Sequence, residues 1–168
     1  GEMEIQLHDM IREKGLEDCV EMLGAMPPEE VRRHMEKADI YLFTSDFNEG
    51  WGAVLNESMN SGCAVVASHA IGSVPFLIKN GENGLIYENG NQLDLEKQVL
   101  RLLEDGAFRK KIAENAYETM INLWNAETAA ERFLALTEKL LKNENTDSLF
   151  LDGPCSKAAI LKNDWYQH

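Results

Sequence analysis

Residues 39–68 read DIYLFTSDFNEGWGAVLNESMNSGCAVVAS, in which two apolar runs enclose a glycine-containing loop and a helical pattern. The runs Asp39–Thr44 and Ala64–Ser68 are rich in aliphatic and aromatic residues, which favours buried strands. Between them, Ser45–Gly52 predicts a loop and Ala53–Asn60 predicts a short helix. A strand, a helix and a second strand in this order indicate a parallel sheet with helices on its faces.

The segments before residue 39 continue the same alternation of helix and strand. Glu2–Lys14 carries apolar residues at helical spacing, and Gly15 ends that pattern. Cys19–Leu23 is short and apolar, which predicts a buried strand. The sequence Pro27-Pro28-Glu29-Glu30 predicts a helix start, with a helix that extends to about Lys37, because proline and acidic residues suit a first turn.

The segments after residue 68 change from alternation to a run of helices. We expect a helical turn at Val74–Lys79, a tight turn at Asn80–Gly84, a brief strand at Leu85–Tyr87, and helices at Leu93–Leu103, Phe108–Leu123 and Ala126–Lys142. The fold class is therefore α/β, a Rossmann-like parallel sheet flanked by helices. Residues 1–142 form this domain, and residues 143–168 are predicted to be a polar tail. Because such a sheet normally begins with a strand, we expect one or more leading strands to be missing.

Charge and cysteine usage narrow the range of partners. The chain has 16 Lys+Arg against 29 Asp+Glu, a formal net charge of −13. This acidity argues against nucleic acid and against adhesion to an anionic membrane, because both need a basic surface. The three cysteines are widely spaced, which favours a reducing compartment over disulfides, so we expect a cytoplasmic location. The four histidines lack the spacing of metal ligands, and we predict no bound metal.

The loop between the two strands of residues 39–68 has the features of an anion site. Ligands of parallel α/β sheets bind beyond the carboxyl ends of the strands, where this loop is expected to lie. Gly50 and Gly52 allow a close approach of the backbone, and the following helix presents unpaired amides. Glu49 and Glu57 stand before and behind these amides, so a ligand with hydroxyls on both sides of a diphosphate would contact both carboxylates. A nucleotide sugar has this layout.

The spacing alone leaves other readings open. In a chain with 29 acidic residues, two carboxylates eight positions apart are commonly just solvated. The loop lacks the Gly-Lys-Ser/Thr of a P-loop, and Gly50, Gly52 and Gly62 do not fit a dinucleotide fingerprint. A non-catalytic α/β binding domain therefore stays an alternative to an enzyme.

Four segments together resemble the donor-binding half of the GT-B glycosyltransferases of family 4, the glycosyl transferases group 1. The segments are Glu49-Gly50-Trp51-Gly52, Glu57, Ser61-Gly62-Cys63-Ala64-Val65 and Asn80-Gly81-Glu82-Asn83-Gly84. The resemblance extends over about residues 1–142. The chain departs from the family pattern in having Trp51 for phenylalanine, Ala64 for proline, His69 for aspartate and Phe76 for an acid. We expect His69 to be a partly buried, hydrogen-bonded histidine.

The resemblance assigns roles to single residues. It implies that Glu57 holds the ribose hydroxyls and that Glu49, the candidate catalytic residue, contacts and orients the donor sugar. The remaining donor contacts would come from the amides of Gly50, Trp51 and Gly52 to sugar hydroxyls, from the amides of Ala53 and Val54 to the diphosphate, and from Met26 beside the base.

The resemblance also implies an activity. Family members are retaining, metal-independent glycosyltransferases, here of the hexosyltransferase type, that use a nucleoside diphosphate sugar as donor and need no cofactor. The acceptor would be a glycan or a lipid-linked molecule. We expect the acceptor-binding N-terminal domain of the parent, the first strand of the donor domain and a cationic Gly-Arg…Lys segment to lie outside this chain. The chain alone should then be inactive. Any membrane contact would be made by the missing part. Another GT-B enzyme, such as a nucleotide-sugar epimerase, is the alternative activity.

Overall fold

A computed structural model of the chain describes residues 3–158, 160–162 and 164–167. Its elements are, in order, α1 (Glu4–Glu13), α2 (Pro28–Met35), β1 (Ile40–Phe43), α3 (Val54–Asn60), β2 (Ala64–Ser68), α4 (Val74–Leu77), β3 (Leu85–Tyr87), α5 (Gln92–Glu104), α6 (Gly106–Asn122), α7 (Ala126–Leu141) and a 3₁₀ turn (Trp165–Gln167). Glu2, where the first helix is predicted to begin, lies outside the described residues. The other predicted elements from residue 27 to residue 142 are confirmed to within a few residues.

The described residues form a sheet of three parallel strands in the order β1–β2–β3. Ile40 pairs with Ala64 in the register between β1 and β2, and Val66 pairs with Leu85 between β2 and β3. The carboxyl ends of all three strands therefore meet at one edge of the sheet. This arrangement confirms the predicted α/β class.

The core is centred on β2, in which every residue is buried. One cluster of buried side chains joins the sheet to the last helices, and its members are Ala64, Val66, Leu85, Tyr87, Leu102 and Ile112. The last three α-helices each begin at a residue whose side-chain oxygen accepts a backbone N–H three positions ahead: Asn91, Asp105 and Asn125. Such N-caps stabilise a helix by about 1 kcal/mol each, and they fix where α5, α6 and α7 begin. Among the helices of the described residues, none is both long and apolar enough to cross a membrane.

The predicted strand at Cys19–Leu23 is wrong. These residues form no strand in the structure, and Val20 and Leu23 are 41% and 45% exposed. An apolar run becomes a strand only where another strand pairs with its backbone, and none does so in the described part of the chain. The segment belongs to a compact unit of residues 1–31, and residues 32–168 form a second compact unit.

The segment after α7 is attached to the second unit by specific contacts. Arg132 of α7 donates a hydrogen bond to the backbone carbonyl of Asp152, and its guanidinium lies 4.7 Å from the ring centroid of Phe150. The carboxylate of Asp152 pairs with Lys79 at 2.9 Å. This anchored segment then leads to the 3₁₀ turn at Trp165–Gln167, while Ile160 between them is fully exposed.

Candidate functional site

The loop that joins β1 to α3, residues 44–53 and here called the glycine loop, begins with a turn built by an aspartate. The carboxylate of Asp46 accepts the amide of Asn48 at 2.8 Å, and its carbonyl accepts the amide of Glu49 at 3.0 Å. Aspartate favours such turns because its short side chain reaches the backbone two residues ahead. The turn reverses the chain directly after β1 and places Glu49 at the carboxyl end of the sheet.

The glycine loop rests on the segment that follows β2. The amide of Gly72 donates to the carbonyl of Glu49 at 3.4 Å, and the amide of Ser73 donates to the carbonyl of Trp51 at 3.1 Å. A Cβ atom at Gly72 would lie 1.6 Å from the carbonyl oxygen of Gly50, a distance that no side chain permits. Only glycine at position 72 therefore lets the two backbones approach in this way.

The carbonyls of Glu49 and Trp51 accept hydrogen bonds from this support, whereas the amides in the second half of the loop remain free. Within the part of the chain that the structure describes, none of the five backbone amides from Gly50 to Val54 donates a hydrogen bond. Helix α3 begins at Val54 without a side-chain cap. Because unsatisfied amides attract anions, this row of donors can bind a phosphate or several hydroxyls.

Gly52 fixes the bend between the loop and the helix. Its φ is +77°, in the left-handed region, and a Cβ atom there would lie 2.7 Å from the ring of Phe43 in β1. Both the backbone conformation and the lack of space require glycine. The predicted role of Gly52 in a close backbone approach therefore has a structural basis, although the partner that approaches is Phe43.

Trp51 anchors the loop through its side chain. Its ring stacks on Phe76 at 5.8 Å, leans on Trp124 at 5.8 Å, and donates from Nε1 to Asn56 at 3.0 Å. Phe76 follows β2, whereas Trp124 follows α6, so these contacts hold the glycine loop against two other parts of the second unit. Trp51 is nevertheless 41% exposed, which leaves part of the ring open to a ligand.

Glu57 lies on the solvent-facing side of α3. Leu55, Ser58 and Met59 of the same helix are buried, whereas Glu57 is exposed. Burial raises the pKa of Tyr41 in β1, and the negative charge of Glu57 raises it further. The charge of Glu57 therefore acts on Tyr41 across the gap between α3 and β1.

Other predicted site residues are placed as follows. Glu49, which is half-buried, lies in the glycine loop before the free amides, and Glu57 lies behind them on α3. A helix thus begins just after Gly52, as expected. Met26 belongs to the compact unit of residues 1–31, and its role beside the base stays a prediction. In the described residues no three His, Cys, Asp or Glu side chains form a group able to hold a metal ion.

His69 is partly buried and hydrogen-bonded, as predicted. Its Nδ1 accepts the amide of Asn89 at 2.9 Å, so that nitrogen carries no proton in this arrangement. The edge of its ring meets Phe47 of the glycine loop, with ring centroids 5.7 Å apart. His69 therefore borders the loop at the carboxyl end of β2.

Sequence reasoning missed the residues that support the site. It gave no role to Gly72, Ser73 or Trp124, although Gly72 and Ser73 follow a predicted strand and precede a helical turn. A glycine in that position was a signal of close backbone approach. Trp124 contacts Trp51, more than 70 residues away in the chain, and no local sequence pattern predicts this contact.

The family model of the glycosyl transferases group 1 matches residues 1–119. The amylovoran biosynthesis glycosyltransferase AmsK of Erwinia amylovora is 31% identical over 145 residues, which are 83% of this chain and 35% of that protein. A D-inositol 3-phosphate glycosyltransferase of Corynebacterium aurimucosum is 33% identical over 66% of this chain and 26% of its own length. The chain therefore spans about a third of the length of these curated relatives.

Several solved structures have the same fold. The C-terminal domain of the group 1 glycosyltransferase LpcC from Francisella tularensis matches 74% of this chain and 64% of its own, with a TM-score of 0.67 and 25% identity. HepE of Anabaena, solved in complex with UDP, matches 80% of this chain and 36% of its own, with a TM-score of 0.70 and 28% identity. HepE has also been solved in complex with UDP-glucose. The chain belongs to the group 1 glycosyltransferases and corresponds to the C-terminal domain of these enzymes.

Proposed function

We propose that this chain is the donor-binding domain of a retaining, metal-independent glycosyltransferase of the hexosyltransferase type. The parent enzyme would transfer a sugar from a nucleoside diphosphate sugar to a glycan or a lipid-linked acceptor. The acceptor would be bound by an N-terminal domain of the same parent. The donor itself is the only small molecule that the reaction requires.

The observation that carries this proposal is the row of free amides in the glycine loop. Five consecutive backbone donors, Gly50 to Val54, have no acceptor within the described residues, while the amides of Gly72 and Ser73 bind the carbonyls of Glu49 and Trp51. Helix α3 has only seven residues, so its dipole adds little and the loop amides supply most of the attraction. UDP bound to HepE is the kind of ligand that such donors fit.

The charge of the chain makes these local donors more important. A formal net charge of −13 repels a diphosphate at long range. Salt screens that repulsion beyond a Debye length of about 8 Å, whereas a hydrogen bond acts at about 3 Å. Binding therefore depends on the amides themselves, and we expect it to strengthen as the salt concentration rises, in contrast to a basic phosphate site.

Glu57 and Glu49 are proposed to bind the hydroxyls at the two ends of the donor. Glu57, exposed on α3 beside Tyr41, would accept hydrogen bonds from the ribose. Glu49, before the amides, would accept from the donor sugar and orient it for transfer. A hydrogen bond to a charged group contributes about 1.5–3 kcal/mol, so two of them are enough to select a sugar nucleotide over free phosphate.

We also propose that this chain transfers no sugar by itself. Residues 45–57 contain no lysine or arginine, so the glycine loop offers no cation to the leaving diphosphate. Stabilisation of the charge that develops on a leaving group is commonly the largest single contribution to catalysis. Transfer would require cationic groups from another part of the parent enzyme.

The test is a titration of the chain with UDP and with GDP, in which calorimetry or ligand-observed NMR measures the binding. We expect binding of one of them by the wild type and a loss of about tenfold or more in affinity for Glu57→Ala, since one charge-assisted hydrogen bond is removed. Glu131→Ala, the same change at an exposed glutamate of α7, is the matched control and should bind like the wild type.

Two outcomes would contradict the proposal at different points. If Glu57→Ala bound the nucleotide as well as the wild type, the ribose role of Glu57 would be wrong. If the wild type bound neither UDP nor GDP at millimolar concentration, donor binding by this chain would be wrong. Transfer of glucose from UDP-glucose to an acceptor by the isolated chain would contradict only the proposed inactivity.

A further inference from the structure

The C-terminal segment returns from α7 to the carboxyl end of the sheet. It is first held by Asp152, which pairs with Lys79 and whose carbonyl accepts from Arg132. It then reaches the 3₁₀ turn Trp165–Gln167. The first contacts are ionic and hydrogen-bonded, and the contacts of the turn are aromatic.

Tyr166 of this turn covers His69. The two ring centroids are 4.1 Å apart and the planes are inclined by 30°, which is stacked van der Waals contact. Trp165 packs its ring against Tyr166 at 6.2 Å in a T-shaped arrangement. At this separation no other group fits between the rings of Tyr166 and His69.

His69 and Phe47 together form a surface that we call the aromatic shelf. Phe47 stands at right angles to His69, with an interplanar angle of 86°, and is 67% exposed. The amide of Asn89 holds His69 at Nδ1, so the imidazole cannot turn away without losing that hydrogen bond. Within the shelf, His69 is therefore held in place, whereas Phe47 is largely open to solvent.

The aromatic shelf borders the proposed donor site. Phe47 lies two residues before Glu49 in the glycine loop, and His69 lies three residues before Gly72, on which that loop rests. The shelf is thus on the Glu49 side of the free amides, the side proposed for the donor sugar. Sugars present C–H faces that pack on aromatic rings, so the face of His69 that Tyr166 covers suits a pyranose ring, with Phe47 at its edge.

We propose that the aromatic shelf is a subsite for the sugar ring of the donor, and that Tyr166 occupies it as an intramolecular competitor when no donor is bound. This inference rests on the proposed function, because it assigns a further contact to the same ligand. Tyr166 leaves His69 when the donor enters, and the C-terminal segment stays attached through Asp152.

The competition is weak enough to be displaced. The contact of Tyr166 is one ring stack at the end of a segment whose residues 157, 158 and 160–162 are exposed. An aromatic pair of this kind changes an equilibrium by about two- to tenfold. A donor held by amides and carboxylates is expected to outcompete it, so the segment reduces affinity without abolishing binding.

The experiment compares UDP-glucose and UDP as ligands of the wild-type chain and of Tyr166→Ala. We expect Tyr166→Ala to bind UDP-glucose about two- to tenfold more tightly, and to bind UDP as the wild type does, because UDP lacks the sugar. Tyr117→Ala, the same change at an exposed tyrosine of α6, is the matched control and should change neither affinity.

A double variant tests whether His69 is the point of competition. In a His69→Ala background, Tyr166→Ala should no longer tighten UDP-glucose binding, since the shelf on which the rings compete is gone. A tightening that persists in this background would overturn the proposal. Unchanged or weaker UDP-glucose binding by Tyr166→Ala alone would also overturn it, because Tyr166 would then be neutral or part of the site.

A ligand-free measurement separates this inference from the proposed function. Because the two rings are stacked, the ring current of Tyr166 should shift the His69 Hε1 signal upfield in the wild-type NMR spectrum. Tyr166→Ala should move that signal downfield, while Tyr117→Ala should not. An unmoved His69 signal would overturn the stack. If no variant binds UDP or UDP-glucose while the His69 signal moves as expected, the proposed function fails, and the subsite fails with it, although the stack itself is upheld.

Discussion

The two outer strands of the sheet differ sharply in how they are covered. In β3, Leu85, Ile86 and Tyr87 are all buried, and Leu85 and Tyr87 belong to the cluster that includes Leu102 of α5. In β1, only Phe43 is buried, and Leu42 is 44% exposed. Both are edge strands of the same three-stranded sheet.

The difference shows that the position of a strand at the edge of a sheet does not decide how far its side chains are buried. β3 is covered by helices that follow it in the chain, whereas β1 leaves Leu42 open to solvent in the described residues. An uncovered edge offers free backbone groups to another strand. We therefore expect the β2–β3 side to carry the stability and the β1 side to carry the glycine loop.

The largest expected effect compares one leucine from each edge. Leu85→Ala should lower the free energy of unfolding by about 2–5 kcal/mol, because a fully buried side chain is replaced by a cavity. Leu42→Ala should lower it by less than about 1 kcal/mol, because that side chain is already partly in water. The measurement is chemical denaturation followed by circular dichroism. Equal losses at the two positions would remove the distinction between the edges.

The second prediction concerns the contact between the glycine loop, which follows β1, and the segment that follows β2. Gly72→Ala places a methyl group against the carbonyl of Gly50, so the glycine loop must move away from the segment after β2. We expect a loss of about 1–3 kcal/mol in the free energy of unfolding and weaker UDP binding, since the free amides are displaced.

Gly106→Ala is the matched control for this change. Gly106 is the first residue of α6 and a Cβ atom there meets open space, so alanine should be neutral or slightly stabilising. Retained stability together with unchanged UDP binding in Gly72→Ala would show that the close approach of the two backbones is unnecessary.

The smallest effect concerns the ion pair between Lys79 and Asp152, which attaches the C-terminal segment to the second compact unit. The hydrogen bond from Lys79 lowers the pKa of Asp152 below its ordinary value, so the unfolded chain binds the proton more tightly than the folded one. The contribution is therefore present above about pH 4 and is lost as the pH falls through the lowered pKa.

Asp152→Asn should cost less than about 1 kcal/mol at pH 7, because the pair is partly exposed, and the difference from the wild type should shrink at pH 3. Denaturant midpoints at the two pH values measure it, with Asp18→Asn as the same change at an exposed aspartate. A difference that grows on acidification would give the effect the wrong sign.

Local sequence patterns predicted the elements whose burial depends on near neighbours. Ala64–Ser68, a mostly apolar run, becomes the central strand, and the helices predicted at Leu93–Leu103 and Phe108–Leu123 are α5 and α6. Cys19–Leu23 has a similar apolar pattern but is not a strand. Strand formation needs a pairing partner, and a single segment does not encode whether that partner is present.

The candidate site divides in the same way. Its amides, its two glycines and its two glutamates follow one another within residues 49–57, so a linear motif was enough to find them. Gly72, Phe76 and Trp124 come to the loop from elsewhere in the chain, and Tyr166 lies close to 100 residues beyond His69. Contacts between residues so far apart in the chain depend on the three-dimensional arrangement, and local periodicity does not predict them.

The stack of Trp51 on Phe76, with Trp124 beside it, gives the chain an optical reporter. Two of its 3 tryptophans meet at the glycine loop, and Trp51 is partly open to solvent. Indole emission depends on the polarity and the quenching groups around the ring. Occupation of the loop can therefore be followed by intrinsic fluorescence in an unlabelled sample, and a Trp124→Phe, Trp165→Phe double variant would assign the signal to Trp51.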